Sequence, residues 1–146
     1  GITFSADYSQ FFVCASDDNA VQVFDTATGA KLHDLPSGAD PEQFALSPDG
    51  TRLYIANEDD AITPVVDIAA RQVLQQVAVG VEPEGIAISP DNKLAVTTSE
   101  TTNMAHVIDT ATFEVLANVL VDQRPLAAAG PLAAYKHWPE SARKAE

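Results

Sequence analysis

Carboxylates are the residues best placed to do chemistry in this sequence. There are 21 Asp and Glu against 8 Lys and Arg, a net charge of −13. Eleven of the acids are Asp17, Asp18, Asp40, Glu42, Glu58, Asp59, Asp60, Glu82, Glu84, Glu100 and Asp122. Asp40 and Glu42 recur 42 positions later as Glu82 and Glu84. Carboxylates held close together resist joint ionisation unless a proton or a cation neutralises them. Oxygen donors of this kind suit hard cations, Ca²⁺, Mg²⁺ or Mn²⁺. Glu42, Glu84, Asp40 and Glu82 are therefore the expected metal ligands. A cation held there would polarise a phosphoryl oxygen and activate water, which is phosphoester hydrolase chemistry. The alternative is a solvated acidic rim with no defined site.

Other side chains offer less. Cys14 is the single cysteine, which excludes an intrachain disulfide and a Cys-pair metal site. Between Val13 and Ala15 it reads as a small buried hydrophobe. Ser5, Ser47 and Ser89 precede turns and lack the Gly-x-Ser-x-Gly context of a nucleophile. His106 next to Val107 reads as a packed, hydrogen-bonded histidine. His33 is expected to pair with Asp34 on the surface. His137-Trp138 has no partner motif. Neither a phosphate loop nor a dinucleotide fingerprint is present, so no organic cofactor is expected. The acidity argues against nucleic acid as a partner, and no apolar run is long enough to span a membrane.

The elements that must position these acids follow from an internal repeat. Phe44-Ala45-Leu46-Ser47-Pro48-Asp49-Gly50 recurs as Ile86-Ala87-Ile88-Ser89-Pro90-Asp91-Asn92, with a weaker copy from Ile2 to Tyr8. Asp25, Asp67 and Asp109 keep the same spacing of 42, as do Pro41, Pro83 and Pro125. Each unit reads as four short strands. The first alternates large apolar residues with small or polar ones, and Asp-Gly or Asp-Asn supplies the hairpin turn. In the second strand Phe11/Val13, Leu53/Ile55 and Leu94/Val96 are expected on one face, with one residue lost from the third repeat's turn and regained near Ser99–Asn103. The third strand ends at the repeated Asp, which should accept backbone N–H groups in the turn that follows. The fourth runs near Lys31–Leu35, Gln72–Val77 and Glu114–Leu120. Four strands every 42 residues is the signature of a β-propeller blade.

Several stretches carry a family resemblance. Gly80-Val81-Glu82-Pro83-Glu84-Gly85-Ile86-Ala87-Ile88-Ser89-Pro90-Asp91, Arg52-Leu53-Tyr54-Ile55-Ala56-Asn57 and Val107-Ile108-Asp109-Thr110-Ala111-Thr112 resemble the Tyr-Val-Thr-Asn, or surface-layer-like, propeller repeat. Thr98 to His106 with Val121-Asp122-Gln123-Arg124-Pro125 is most similar to propeller proteins associated with PQQ-dependent alcohol catabolism. The resemblance covers residues 1–125. It implies an exported protein, periplasmic or extracellular, of binding or accessory type and without established catalytic residues. The sequence opens without a basic-then-apolar segment, so any export signal is expected to have been removed or never to have been part of this sequence.

The expected architecture is all-β: three four-stranded antiparallel blades at about 1–37, 38–79 and 80–121, with the start of a fourth by 125. Residues 126–146 form an Ala-rich tail outside the pattern, with a short helix possible from Pro139, and read as a truncated or shifted frame. Three blades leave two faces open, and closed propellers have four to eight. A homodimer completing a six-bladed ring is the expected solution. The loops that carry the acids then share one mouth, ringed by Glu42 and Glu84. The expected function is a self-associating module that binds a small ligand, cation or protein at this mouth, the alternative being the hydrolase.

Overall fold

The computed structural model describes residues 1–121, which form twelve short strands. The first sheet holds β1 (Ile2–Phe4), β2 (Gln10–Ala15), β3 (Ala20–Asp25) and β4 (Lys31–Pro36). The second holds β5 (Pro41–Leu46), β6 (Arg52–Asn57), β7 (Ile62–Asp67) and β8 (Gln72–Ala78). The third holds β9 (Pro83–Ile88), β10 (Leu94–Ser99), β11 (Met104–Asp109) and β12 (Val115–Leu120). Each sheet is an antiparallel meander in chain order, a propeller blade. The expected start of a fourth blade and the expected tail helix lie outside the described residues. No α-helix occurs among the described residues.

Local chemistry fixes the turns. Tyr8, Gly50 and Asn92 occupy one register position and all have positive φ (59°, 72° and 59°), as a tight strand connection requires. Before each sits an aspartate that ties the turn. Asp49 accepts from Ser47 Oγ (2.6 Å), Thr51 N (3.0 Å) and Thr51 Oγ1 (2.8 Å), and Asp7 and Asp91 repeat the arrangement. The three serines thus serve turns, as their sequence context indicated. The aspartates ending β3, β7 and β11 accept from the backbone N–H of Thr28, Ala70 and Thr112 respectively, the turn role expected of them.

Packing runs blade to blade. Phe12, Val21, Val23 and Leu35 of blade 1 share a buried cluster with Phe44, Leu53, Ile55 and Val66 of blade 2. Tyr54, Val65 and Val77 of blade 2 share the next with Ala95 and Ile108 of blade 3. Each blade therefore has an incoming face toward the preceding blade and an outgoing face toward the following one. Alternation along the strands separates the two sets.

One expectation is corrected. Ile88 pairs with Ala95 as Leu46 pairs with Leu53, and Ile86 pairs with Thr97 as Phe44 pairs with Ile55. No residue has been lost from the third repeat. Ala95 and Thr97, not Leu94 and Val96, stand at the positions of Leu53 and Ile55. Ala and Thr at an incoming face are small or polar, while the outgoing Val96 supplies the apolar residue expected there. All twelve strands keep the 42-residue spacing.

Candidate functional site

The acids are gathered by the loops at one end of the blades. The β4–β5 and β8–β9 loops meet the β2–β3, β6–β7 and β10–β11 loops through repeated backbone contacts. Glu58 N donates to the Asp40 carbonyl and Glu100 N to the Glu82 carbonyl, both at 2.9 Å. Asp40 and Glu82 are in the left-handed region (φ 51° and 55°), which aims those carbonyls at the neighbouring loop. Asp40 N in turn donates to Asn19 Oδ1 (3.1 Å), and Ala39 N to Asp60 Oδ2 (2.5 Å). Asn19, Ala61 and Asn103, again one register position, share positive φ. Asp40 and Glu82 are thus structural through their backbone, whatever their side chains hold.

Glu42 and Glu84 reach the face by a different device. Pro41 pairs with Asn57 and Gln43 with Ala56, so Glu42 is an extra residue in a bulge of β5. The register shift between Thr97 and Ser99 marks the equivalent bulge in β9 around Glu84. Bulges re-aim side chains, and here both glutamates join the loop carboxylates at the start of the innermost strands. In β9 the bulge is braced by Gly85 N donating to Thr98 Oγ1 and by Thr97 Oγ1 donating to the Gly85 carbonyl, each at 3.0 Å.

Asp40, Glu42 and Glu58 offer one carboxylate oxygen each within 4.8 Å of one another, all three side chains half-buried. Of the four expected ligands, two are in this group. Glu58 was counted among the loop acids but not as a ligand, and it completes the set. Its signal was its register, since positions 58 and 100 both hold glutamate. Glu84 and Glu82 lie outside the group of three but belong to the same electrostatic field. The Glu58 carboxyl is pushed up by burial and then by the charges of Asp40, Glu42, Asp59 and Glu82. The Glu84 carboxyl is pushed up by burial and then by Glu58, Glu100 and Glu42. Such mutual opposition is what a proton or cation relieves.

The histidines play other parts. His106 is buried on β11, accepting from Gly80 N at Nε2 (3.0 Å) and lying 3.0 Å from Ser99 Oγ. Its Nδ1 is 2.7 Å from Asn118 Oδ1. An acceptor at Nε2 and a carbonyl oxygen at Nδ1 assign the neutral tautomer with hydrogen on Nδ1. It is the packed, hydrogen-bonded residue expected, and it borders a cleft of about 330 Å³ with Gly80, Thr102, Met104 and Asn118. His33 does not pair with Asp34; Lys31 takes that carboxylate at 2.8 Å. His33 Nε2 is enclosed on β4 without a hydrogen-bond partner, and burial followed by Arg71 lowers its pKa. Cys14 is half-buried, and burial raises its thiol pKa, which fits the packing role.

Fold and face together define a stretch of β-propeller with an acidic loop end. The sequence matches the Cytochrome D1 heme domain family over residues 6–129. The chain belongs to that family. Among solved structures it is similar to hydrazine synthase of Kuenenia stuttgartiensis, with 32% identity over 86% of this chain and a TM-score of 0.82. It is also similar in fold to a candidate 6-phosphogluconolactonase of Bacteroides fragilis, with 21% identity over 87% and a TM-score of 0.71. The chain spans 37% and 40% of the lengths of those two proteins. No curated protein matches it.

The family description names haem, against the expectation of no organic cofactor. Axial ligation needs an available nitrogen or sulfur directed into a pocket. Both nitrogens of His106 are engaged, and His33 lies on an outermost strand away from the cleft. The described histidines thus offer no axial nitrogen, and Met104 supplies the one sulfur among the residues lining the cleft.

Proposed function

We propose that this chain is a propeller binding module whose acidic loop face takes up a hard divalent cation and, through it, a ligand or partner protein. The observation that carries the reading is the convergence of Asp40, Glu42 and Glu58 oxygens within 4.8 Å. The raised carboxyls of Glu58 and Glu84 support it, because burial and then the neighbouring carboxylates oppose their ionisation there. Its resemblance to exported propellers supports a periplasmic or extracellular location. Calcium, magnesium and manganese titrations followed by calorimetry and by thermal midpoint test it. One of the three is expected to raise the midpoint of the wild type, and Glu42→Gln or Glu58→Gln to abolish the rise. Equal responses in wild type and both variants would remove the site.

A second reading, metal-dependent phosphoester hydrolysis, is favoured by one observation. The Glu84 carboxyl lies beside the cluster and is pushed up by burial and then by Glu58, Glu100 and Glu42, which favours its holding a proton. Turnover of p-nitrophenyl phosphate that is lost on chelation and restored by metal would support it. Turnover unaffected by chelation would exclude it.

A further inference from the structure

The loop that brings Glu82 and Glu84 to the acidic face is held by a histidine of the same blade. His106 Nε2 has two neighbours at 3.0 Å, the Gly80 N–H and the Ser99 hydroxyl, and its Nδ1 lies 2.7 Å from Asn118 Oδ1. The ring is buried and Ser99 is fully enclosed. An imidazole nitrogen carries either one in-plane lone pair or one hydrogen. Nε2 therefore accepts from Gly80 only while the ring is neutral. Once protonated it is a donor, and the Gly80 N–H then faces another N–H.

The partner for that second state is already in place. A hydroxyl oxygen both donates and accepts, so Ser99 Oγ receives Nε2–H once its own hydrogen rotates away. Asn118 Oδ1 accepts the Nδ1–H in both states, and the cleft that His106 borders gives a proton its route from solvent. The residues packed around the ring from β8, β10, β12 and the two loops are neutral: Val79, Ser99, Asn118, Gly80 and Thr102. Charge reaches it from the flanking loops. Glu82 comes two residues after Gly80, Glu100 follows Ser99, and Glu84 interacts with Glu100. These carboxylates favour an imidazolium, whereas burial opposes it. Lys93 lies in the β9–β10 turn, at the opposite end of the blade. The arrangement is peculiar to blade 3, since Gln22 and Pro64 hold the register position of His106. The corresponding loop of blade 2 is held instead by Ala39 N donating to Asp60 Oδ2.

The geometry points to a proton-operated latch: protonation of His106 transfers its Nε2 bond from Gly80 to Ser99 and frees the β8–β9 loop that positions Glu82 and Glu84. Histidine is the side chain that ordinarily changes charge between about pH 5 and 8. The loop is therefore held at the upper end of that range and released at the lower end. The exchange of Gly80 for Ser99 is the two-state element that the proton biases. This inference stands apart from the cation reading, since its readout is a backbone amide and needs no metal.

Two-dimensional NMR of the 146-residue chain from about pH 8 to about pH 5 tests it. The Gly80 amide proton is expected to move upfield as its hydrogen bond is lost, with the same midpoint as the His106 ring. The Ala39 amide, whose acceptor is not an imidazole, is the internal control and should not follow that midpoint. Ser99→Ala removes the acceptor of the protonated state and should move the shared midpoint down by about half a pH unit or more. His106→Gln, which cannot take up a proton, should abolish the Gly80 transition. A Gly80 amide that ignores pH, one that titrates unchanged in His106→Gln, or a Ser99→Ala midpoint no lower than that of the wild type would each overturn the proposal.

Discussion

The Gly80 backbone N–H donates to His106 Nε2 at 3.0 Å, tying the loop before β9 to the middle of blade 3. That loop carries Glu82, and β9 carries Glu84, so the bond sets the height of one side of the acidic face. A Cβ on Gly80 would overlap Ser99 Oγ, Thr102 Oγ1 and His106 Nε2. Gly80→Ala is expected to cost about 1–3 kcal/mol by overpacking. His106→Leu is expected to cost a similar amount, about 1–3 kcal/mol, by leaving the Gly80 N–H without its acceptor. Urea denaturation of both variants measures this, and a neutral Gly80→Ala would contradict the crowding.

The corrected register makes an asymmetric prediction. Leu53 is fully buried at the first seam, and Leu53→Ala should cost about 2–5 kcal/mol. Its equivalent Ala95 is fully buried beneath Tyr54 at the second seam. Ala95→Leu should therefore destabilise by about 1–3 kcal/mol through overpacking, rather than repair a void. A stabilising Ala95→Leu would mean that the seam is looser than the cluster indicates.

Glu58 and Glu84 give the acidic face a pH dependence of definite sign. Their folded pKa values lie above the ordinary 4.5, so the folded state holds these protons more tightly than the unfolded chain does. Stability from this source is greatest below 4.5 and falls as pH rises through the raised values. Glu58→Gln should gain about 0.5 kcal/mol near neutral pH at low salt, discounted because the half-buried carboxyl still reaches solvent. The gain should vanish in high salt and at acid pH. A thermal-midpoint series against pH and salt checks both limits.

The turn aspartates behave oppositely. Hydrogen bonds from Ser9 and Ser5 hold the Asp7 carboxyl down at about 2, and those from Ser47 and Thr51 do the same for Asp49. Stability from these groups is fully present above their ordinary 3.8 and is lost as pH falls through about 2. Asp49→Ala should lower the thermal midpoint at neutral pH. The difference from wild type should shrink as pH approaches about 2, and a constant difference would show that the turn does not depend on the ionised carboxylate.

Much of this was readable in the residues because propeller blades repeat a whole chemical pattern. Asp49, Asp91, Asp25 and Asp67 sit at fixed offsets in their units, and a turn aspartate does the same work each time. The acidic end was readable because loop identity follows from strand order. What escaped was set by contacts across blades. The incoming role of Ala95 and Thr97 depends on Tyr54 filling the seam from the other side, and apolarity along β10 alone favours Leu94 and Val96. Glu58 escaped for a similar reason: it joins Asp40 and Glu42 only when two loops dock. The lack of a His33–Asp34 pair reflects a nearer cation, Lys31, three residues before Asp34.

The constant spacing of all twelve strands limits how this chain can change length. Because neighbouring residues along a strand face opposite blades, a single deletion inside β6 or β10 would turn every later side chain of that strand toward the wrong neighbour. Loops tolerate such slips, but strands do not. Growth or loss that keeps every surviving face meeting its kind therefore comes in whole blades of about 42 residues, with any odd residue gained or lost confined to a loop.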